Sequence, residues 1–243
     1  MKLKLLLIAP FALSISLALA ITNIENKPES EASMAVTDPA EVIAKYIKAI
    51  GGKENVDKIK NAITVTEAEV QGNKISIRGI SDSENGRLLQ ESSMNGSVLQ
   101  KVVMANGKAK GSFMGQEEEL PDEVAGLLKV QTYVFPEQQY EKLGYTLKAD
   151  GTETIEGEEA YKLVITSPDG RMTTTEYYSV SSGLKLRTSS DVTGDISYSD
   201  YTEIDGVKIP MTLKTKNAML PEAMITKVVS VKLNQQLSDE DFR

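Results

Sequence analysis

The chain has 243 residues and contains no histidine, cysteine or tryptophan, with 27 basic residues against 35 acidic ones. The missing residue types exclude Ser–His and Cys–His catalytic pairs and leave only carboxylates as candidate metal ligands. A net charge of −8 makes the chain a poor partner for nucleic acid. We therefore expect no catalytic residue, no metal site and no cofactor.

Residues 1–20 have the pattern of a secretory signal peptide. Lys2 and Lys4 precede an apolar run that ends in the small-residue motif Ala18-Leu19-Ala20. The run is shorter than the roughly 20 residues of a membrane-spanning helix. Because no cysteine is available for acylation, we expect a free protein in the periplasm rather than a lipid-anchored one.

Residues 21–37 are polar and lack periodicity, which is typical of a flexible leader. A single domain is predicted over 38–243. It opens with a helix in which Asp38 is the N-cap, Pro39 the first helical residue and Gly51 the end. One face of this helix is apolar, so it should pack on a sheet; the face comprises Val42, Ile43, Tyr46, Ile47 and Ile50. A short second helical turn is predicted from Glu54 to Ile59.

Glycine-centred turns recur after Ala62, mostly about 10 to 14 residues apart, which is the spacing of an antiparallel meander. The sequence predicts a mainly β fold with a few helices: one large curved antiparallel sheet, or unclosed β-barrel, of about ten strands. The predicted strands are Lys74–Ile80, Arg87–Met94, Val98–Met104, Lys108–Met114, Ala160–Thr166, Met172–Val180, Leu184–Thr188, Ile196–Ile204, Val207–Lys214 and Met224–Leu233.

The clearest local signal is a hairpin at Asp205-Gly206, where a type I′ turn needs two positive φ angles. The strand that follows alternates strictly, with Val207, Ile209, Met211 and Leu213 on its apolar face. Asp200 interrupts the apolar side of the preceding strand. It marks either a polar group in a cavity or a β-bulge, and the bulge is the favoured interpretation.

The meander is interrupted once, between residues 115 and 150. Pro121 begins a predicted helix with Val124, Leu127 and Leu128 on one face, and Pro136 limits its extent. This insertion is expected to cover the concave face of the sheet. Two interpretations stay open: a lid or plug over a cavity, or a helix that simply closes the core.

Methionines lie mostly at strand ends or on inward-facing positions. Their flexible thioethers suit a surface for variable apolar ligands, although filling gaps in a core is their commoner role. Together with the insertion and the hairpin they define the predicted ligand-binding residues, an apolar cavity formed by Met94, Met104, Met114, Leu127, Leu128, Phe135, Ile209, Met211 and Met224.

Four segments resemble motifs of the LolA/LolB-like outer-membrane lipoprotein-sorting superfamily. YSDYTEIDGVKIPM at 198–211 resembles its "dY…vdGvkfP" hairpin, EYYSVSSGLK at 176–185 its "yyd..tGlp" hairpin, and VVMANGK at 102–108 its "v.dG" turn. The helix VIAKYIKAIGG at 42–52 is similar to the opening helix of a secreted branch, whose relatives are also appended to insulinase-type peptidases. The resemblance covers roughly residues 38–235.

This resemblance implies an unclosed antiparallel barrel, covered by helices, that holds acyl chains in an apolar concavity. The aromatic residue that often follows the family's "dG" turn is replaced by small residues around 108–111. The family's lid-latching arginine has only Arg78 and Arg87 as candidate counterparts. A peptidase role is excluded for this chain because zinc-binding histidines are missing.

We expect a monomeric periplasmic carrier or binding protein for an apolar or amphipathic ligand, namely lipid or lipoprotein acyl chains. One alternative is a non-enzymatic interaction module that packs on a partner protein of the cell envelope. Another is a hydrolase that uses carboxylates. An empty apolar cavity would favour the carrier, a filled barrel with an exposed apolar patch the interaction module, and two facing carboxylates in a cleft the hydrolase.

Overall fold

The computed structural model describes residues 38–218 and 222–243. The predicted signal peptide and leader lie outside these residues. The first helix, α1, spans Pro39–Ala49 and is capped as predicted, since the Asp38 carboxylate accepts a 2.9 Å hydrogen bond from the Ala40 amide. The remaining helical elements are α2 (Lys53–Lys58), α3 (Asp122–Leu128) and 3-10 helices at Lys129–Thr132, Pro136–Gln139 and Asp239–Phe242.

Within the described residues, thirteen strands form one antiparallel sheet in the order β6-β5-β4-β3-β2-β1-β13-β12-β11-β10-β9-β8-β7. All neighbours are consecutive in the chain except β1 and β13, and β6 and β7 are left as free edges. The sheet is therefore unclosed, as the sequence predicts. The strands are β1 Asn61–Val70, β2 Asn73–Asp82, β3 Arg87–Met94, β4 Ser97–Ala105, β5 Lys108–Phe113, β6 Gln116–Glu119, β7 Thr146–Ile155, β8 Glu158–Thr166, β9 Thr173–Ser179, β10 Lys185–Ser190, β11 Gly194–Ile204, β12 Val207–Lys216 and β13 Met224–Leu233.

Three strands, β1, β6 and β7, are not among the ten predicted. The buried positions of β1 are Ala62, Thr64, Thr66 and Ala68, so this face of the strand carries little of the usual apolar signal. The edge strands β6 and β7 are rich in charged residues, which protects free edges from pairing with other chains. The charged composition of β6 and β7 therefore hid their strand character in the sequence, and backbone pairing in the structure shows it.

The β11–β12 hairpin has the predicted turn, with φ 50° at Asp205 and 80° at Gly206. The prediction of a β-bulge at Asp200 is wrong. Its φ is 57°, but the pairing keeps one register on both sides, because Ser199 lies opposite Thr212 and Tyr201 opposite Pro210. No residue is inserted, and the exposed Asp200 carboxylate accepts a hydrogen bond from the Thr212 hydroxyl.

Helix α1 packs on the face of the sheet that we call concave. Tyr46 and Ile47 belong to a buried cluster with Tyr178 of β9 and Ile209 of β12. The corner after α1 rests on the β11–β12 hairpin: the Lys208 amide donates a 2.7 Å hydrogen bond to the Ile50 carbonyl. This docking fixes the helix across strands that are distant in sequence.

The insertion crosses the same face from edge strand β6 to edge strand β7. Leu128 packs in a buried cluster with Val102 and Met104 of β4, whereas Leu127 packs with Ile165 of β8. One short helix thus contacts both halves of the strand order, which requires the sheet to curve around it.

The opposite, convex face is covered at one place by the C-terminal segment. Phe242 packs against Ile80 of β2 and Leu89 of β3. The alternation along these strands therefore sends Ile80 and Leu89 outward, while Ser81 and Gln90 point to the concave face. The two sides of the sheet carry different chemistry, and the candidate site lies on the concave one.

Candidate functional site

A cavity of about 50 Å³ lies between the concave face and the insertion. Its wall includes Phe135 from the insertion, Ile209 from β12, and polar side chains of Ser81, Gln90 and Gln131. Space of this size holds a few water molecules and is well below the roughly 300 Å³ of a typical ligand pocket. In this conformation the interior is therefore almost filled.

A buried ion network borders the cavity. Lys185 Nζ lies 2.6 Å from Glu137 Oε1 and 2.8 Å from Glu176 Oε1. Tyr140 donates a 2.9 Å hydrogen bond to Glu176 Oε1, and the Tyr178 hydroxyl donates to Glu176 Oε2. Glu137 lies in the 3-10 helix Pro136–Gln139 of the insertion, so the network joins the insertion to β9 and β10.

Lys185 reaches the concave face because of an irregularity in β10. The pairing with β9 shifts register between Lys185 and Arg187, as at a β-bulge. Lys185 lies opposite Tyr178, and Thr188 opposite Glu176, so both sit beside inward-facing residues of β9 although three positions separate them. Bulges commonly re-aim a side chain beside a functional site.

Burial and charge shift the pKa values of this network. Desolvation raises the pKa of the Glu137 carboxyl, Lys185 opposes that rise, and the negative charge of Glu176 adds to it. Desolvation alone would lower the pKa of Lys185, but attraction to Glu137 and Glu176 outweighs it, so the lysine pKa is raised. Lys185 is therefore a fixed positive charge between two carboxylates.

The two carboxylates differ in how their oxygens are occupied. Glu176 is fully buried, and both of its oxygens accept hydrogen bonds from tyrosine hydroxyls while one also contacts Lys185. A group with its oxygens occupied in this way cannot readily exchange a proton with a substrate. Glu137, by contrast, has one oxygen, Oε2, without a hydrogen-bond partner among the described residues.

An open groove of about 500 Å³ lies outside the cavity, between α1 and the end of the insertion. Ile43 and Ile47 of α1 and Leu147 of β7 form its apolar wall, and Lys48 and Lys142 are at its margin. Glu137 also lines the inner cavity, so this one side chain borders both spaces.

Comparison by sequence matches no family model and no curated protein. Solved structures do match. The chain superposes on a DUF1329 family protein from Desulfovibrio piger with a TM-score of 0.54 and 14% identity, covering 85% of this chain and 98% of that one. A LolA superfamily protein from Nitrosomonas europaea gives 0.52 and 15% identity, covering 82% and 97%. The chain has a LolA/LolB-like fold. A candidate outer membrane lipoprotein-sorting protein domain from Vibrio parahaemolyticus gives 0.54 at 9% identity, covering 84% and 97%.

Within this LolA/LolB-like fold, the nine predicted ligand-binding residues do not converge on one space. Phe135 and Ile209 line the inner cavity. Met104, Leu127 and Leu128 are buried in packed clusters under α3, and Met211 is partly buried against two clusters of the concave face. These four residues fill the core beside the cavity.

The other three methionines lie away from the cavity. Met114 is 71% exposed, and Met94 is half-buried at the end of β3. Met224 is buried at the start of β13, beside a separate surface depression. Placement at strand ends explains the difference, because the cavity lies over the middle of the sheet.

The candidate latch arginines point to the wrong face for a lid. Arg87 Nη2 lies 2.7 Å from Asp82 Oδ2, and its guanidinium stacks over the Phe242 ring. Arg78 lies 3.9 Å from Asp241. Both therefore hold the C-terminal segment on the convex face, and Lys185 is the basic residue that contacts the insertion.

Sequence patterns did not indicate Glu137, Glu176 or Lys185. In isolation these residues have the composition of exposed loops and strands, and only a register shift turns Lys185 inward. The one unusual feature of the sequence here is that Glu176 is followed directly by Tyr177 and Tyr178, in a strand that otherwise consists mostly of threonine.

Two further features bear on function. Over residues 38–218 and 222–243, no set of three or more Asp or Glu side chains is placed to bind a metal ion. Among the same residues, no helix has the length and hydropathy needed to cross a bilayer.

Proposed function

We propose that this protein is a periplasmic carrier or binding protein for an apolar or amphipathic ligand, namely lipid or lipoprotein acyl chains. The observation that carries the proposal is the adjacency of the inner cavity and the apolar groove, which meet at Glu137 under a segment that crosses the sheet. The proposed role is binding without catalysis, by a free and monomeric mature protein.

The energetic basis is burial of apolar surface. Each methylene removed from water contributes about 0.8 kcal/mol, so an acyl chain gains affinity with length and needs no specific polar contact. The groove is open to solvent, and side chains of α1 and β7 form its apolar wall. The inner cavity is too small for a chain in this conformation, so deeper binding requires the insertion to move.

Few polar contacts hold the insertion over the cavity. Ser81 donates a 2.8 Å hydrogen bond to the Gln131 carbonyl, and Gln90 bonds to the Gln131 side chain. Lys185 pairs with Glu137, and Tyr140 donates to Glu176. Breaking a small set of contacts is compatible with opening by a ligand that binds the open state better. The insertion is thus proposed to act as the lid.

Periplasmic location is part of the same proposal and depends on the signal-peptide pattern at residues 1–20. Acidic composition supports a partner other than nucleic acid. The alternative role, an interaction module for an envelope protein, would use the same concave face without a lipid.

Titration with a fluorescent ester-linked acyl lipid tests the proposal. We expect saturable binding to delipidated protein. Phe135→Asp should weaken binding at least about tenfold, because it places a charge on the cavity wall. Met114→Asp is the control: this side chain is 71% exposed and lies away from the cavity, so affinity should not change. Absence of saturable binding by folded wild-type protein would refute the carrier role and favour the interaction module.

A further inference from the structure

Three residues that line the inner cavity each carry a buried polar atom with no hydrogen-bond partner among the described residues. These atoms are Gln90 Oε1, Gln131 Nε2 and Glu137 Oε2. The three residues are 6%, 1% and 7% exposed. Because unsatisfied buried polar groups are destabilising, a cluster of them at one small space indicates a site for a polar group.

The hydrogen-bonding capacity of this site is mixed. Gln90 Nε2 donates to Gln131 Oε1, which leaves one amide oxygen and one amide nitrogen free. If both amides were flipped, the same pair would again leave one oxygen and one nitrogen. The free Glu137 oxygen adds a second acceptor. The site therefore matches a group that both accepts and donates hydrogen bonds.

The charge of the surroundings disfavours an anion. Lys185 is the basic side chain on the cavity wall, and it already contacts Glu137 and Glu176. A ligand carboxylate would add a third negative charge next to the free oxygen of Glu137. In a poorly solvated space this repulsion is stronger than in water, whereas an uncharged group adds none.

The volumes fit a small head and a longer tail. About 50 Å³ accommodates a group of a few heavy atoms, and the groove of about 500 Å³ on the other side of Glu137 has an apolar wall. An amphiphile could place its head past Glu137 while its chain lies along Ile43 and Ile47.

We propose that the inner cavity is a head-group site for uncharged acyl compounds whose head both donates and accepts hydrogen bonds, as in monoacylglycerols and primary fatty-acid amides. The site discriminates against free fatty-acid carboxylates. This inference rests on the proposed binding of acyl chains and specifies which chemical class is bound.

Four soluble ligands with the same chain separate the possibilities: 1-monooctanoylglycerol, octanamide, methyl octanoate and octanoate. Calorimetric titration of the delipidated mature protein should show the glycerol ester, the amide or both binding at least about tenfold more tightly than the other two. Methyl octanoate lacks a donor, and octanoate carries the charge. A preference for only one of the first pair would identify which head the cavity takes.

The double variant Gln90→Leu/Gln131→Leu tests the site itself. It removes both polar partners at similar volume, so the fold should survive and the preference should fall to the level of methyl octanoate. Gln100→Leu is the matched control, because Gln100 is equally buried on β4 but does not line the cavity.

The outcomes separate the two proposals. Equal affinity for all four ligands, or tightest binding of octanoate, would overturn the head-group site and leave acyl binding intact. Binding of none would overturn acyl binding as well. The four-ligand series on the wild-type protein distinguishes these outcomes even if the double variant does not fold.

Discussion

Lys185 Nζ of β10 lies 2.6 Å from Glu137 Oε1, which joins the sheet to the segment that crosses its concave face. The same nitrogen lies 2.8 Å from Glu176 on β9. Since Glu137 lines both the inner cavity and the outer groove, this ion pair lies where the two spaces approach each other.

Replacing Lys185 should destabilise the protein more than replacing Glu137. Lys185→Met leaves two carboxylates buried without their counter-ion, and the free energy of unfolding should fall by about 3–5 kcal/mol. Glu137→Gln leaves Lys185 paired with Glu176, so its loss should be smaller, roughly 1–3 kcal/mol. Urea denaturation of both variants measures the difference. Equal losses would show that Glu176 is not held by Lys185.

The pH dependence of stability should change when Glu137 is removed. The folded state raises the pKa of this carboxyl above its usual value of 4.5, chiefly by desolvation. The native state therefore holds the proton more tightly than the unfolded chain. Its contribution to stability is fully present below the unfolded pKa and is lost as pH rises through the raised pKa.

We therefore expect the difference in unfolding free energy, wild type minus Glu137→Gln, to decrease as pH rises from about 4 towards neutrality. Denaturation at a series of pH values gives this difference directly. A difference that increases over the same range would mean that Lys185 dominates and that the pKa is lowered instead. Desolvation acts to raise the pKa of Asp82, but hydrogen bonds from Asn85 and Arg87 outweigh it, so this pKa is lowered. The contribution of Asp82 to stability is therefore lost only in stronger acid.

Gly51 and Gly52 provide a matched test of the docking between α1 and the hairpin. Both have positive φ, 137° and 82°, so alanine is strained at either position. A Cβ at Gly51 would lie 2.3 Å from the Gly206 carbonyl oxygen, whereas one at Gly52 would meet no atom within 4 Å. Gly51→Ala should therefore lower the melting temperature clearly more than Gly52→Ala. Equal shifts would argue against this close approach.

Arg87→Met should affect stability but not ligand binding. It removes the counter-ion of Asp82, which is 2% exposed, and the stacking over Phe242. We expect a loss of roughly 1–3 kcal/mol in unfolding free energy, with unchanged affinity for the fluorescent acyl lipid. The reason is that these groups lie on the convex face. Reduced affinity in a folded variant would show that the two faces are coupled.

Local signals were sufficient for much of the fold. Asp38 and Pro39 located the start of α1, and Asp205-Gly206 located a hairpin with its turn type, because each depends on a few adjacent residues. The ten predicted strands all overlap strands of the sheet. The edge strands β6 and β7 were missed because edge strands carry charged residues that prevent pairing with other chains, and so lack the apolar pattern of buried strands.

The site was less predictable because it depends on distant residues and on register. Lys185 and Glu137 are 48 positions apart, and no local pattern indicates that they meet. A shift of one residue in β10 reverses which side chains point inward. Met114 illustrates the converse: its apolar character suggested a cavity, but it sits at the exposed end of a hairpin.

Native mass spectrometry of the protein purified from the periplasm tests acyl binding most directly. We predict a mature protein beginning at Ile21 that carries an acyl-containing adduct, which is removed by delipidation and restored by added monoacylglycerol. Phe135→Asp should carry much less of the adduct, while Met114→Asp should carry as much as the wild type. A folded wild-type protein that is free of lipid as purified, and that gains none on incubation with any acyl compound, would contradict the account.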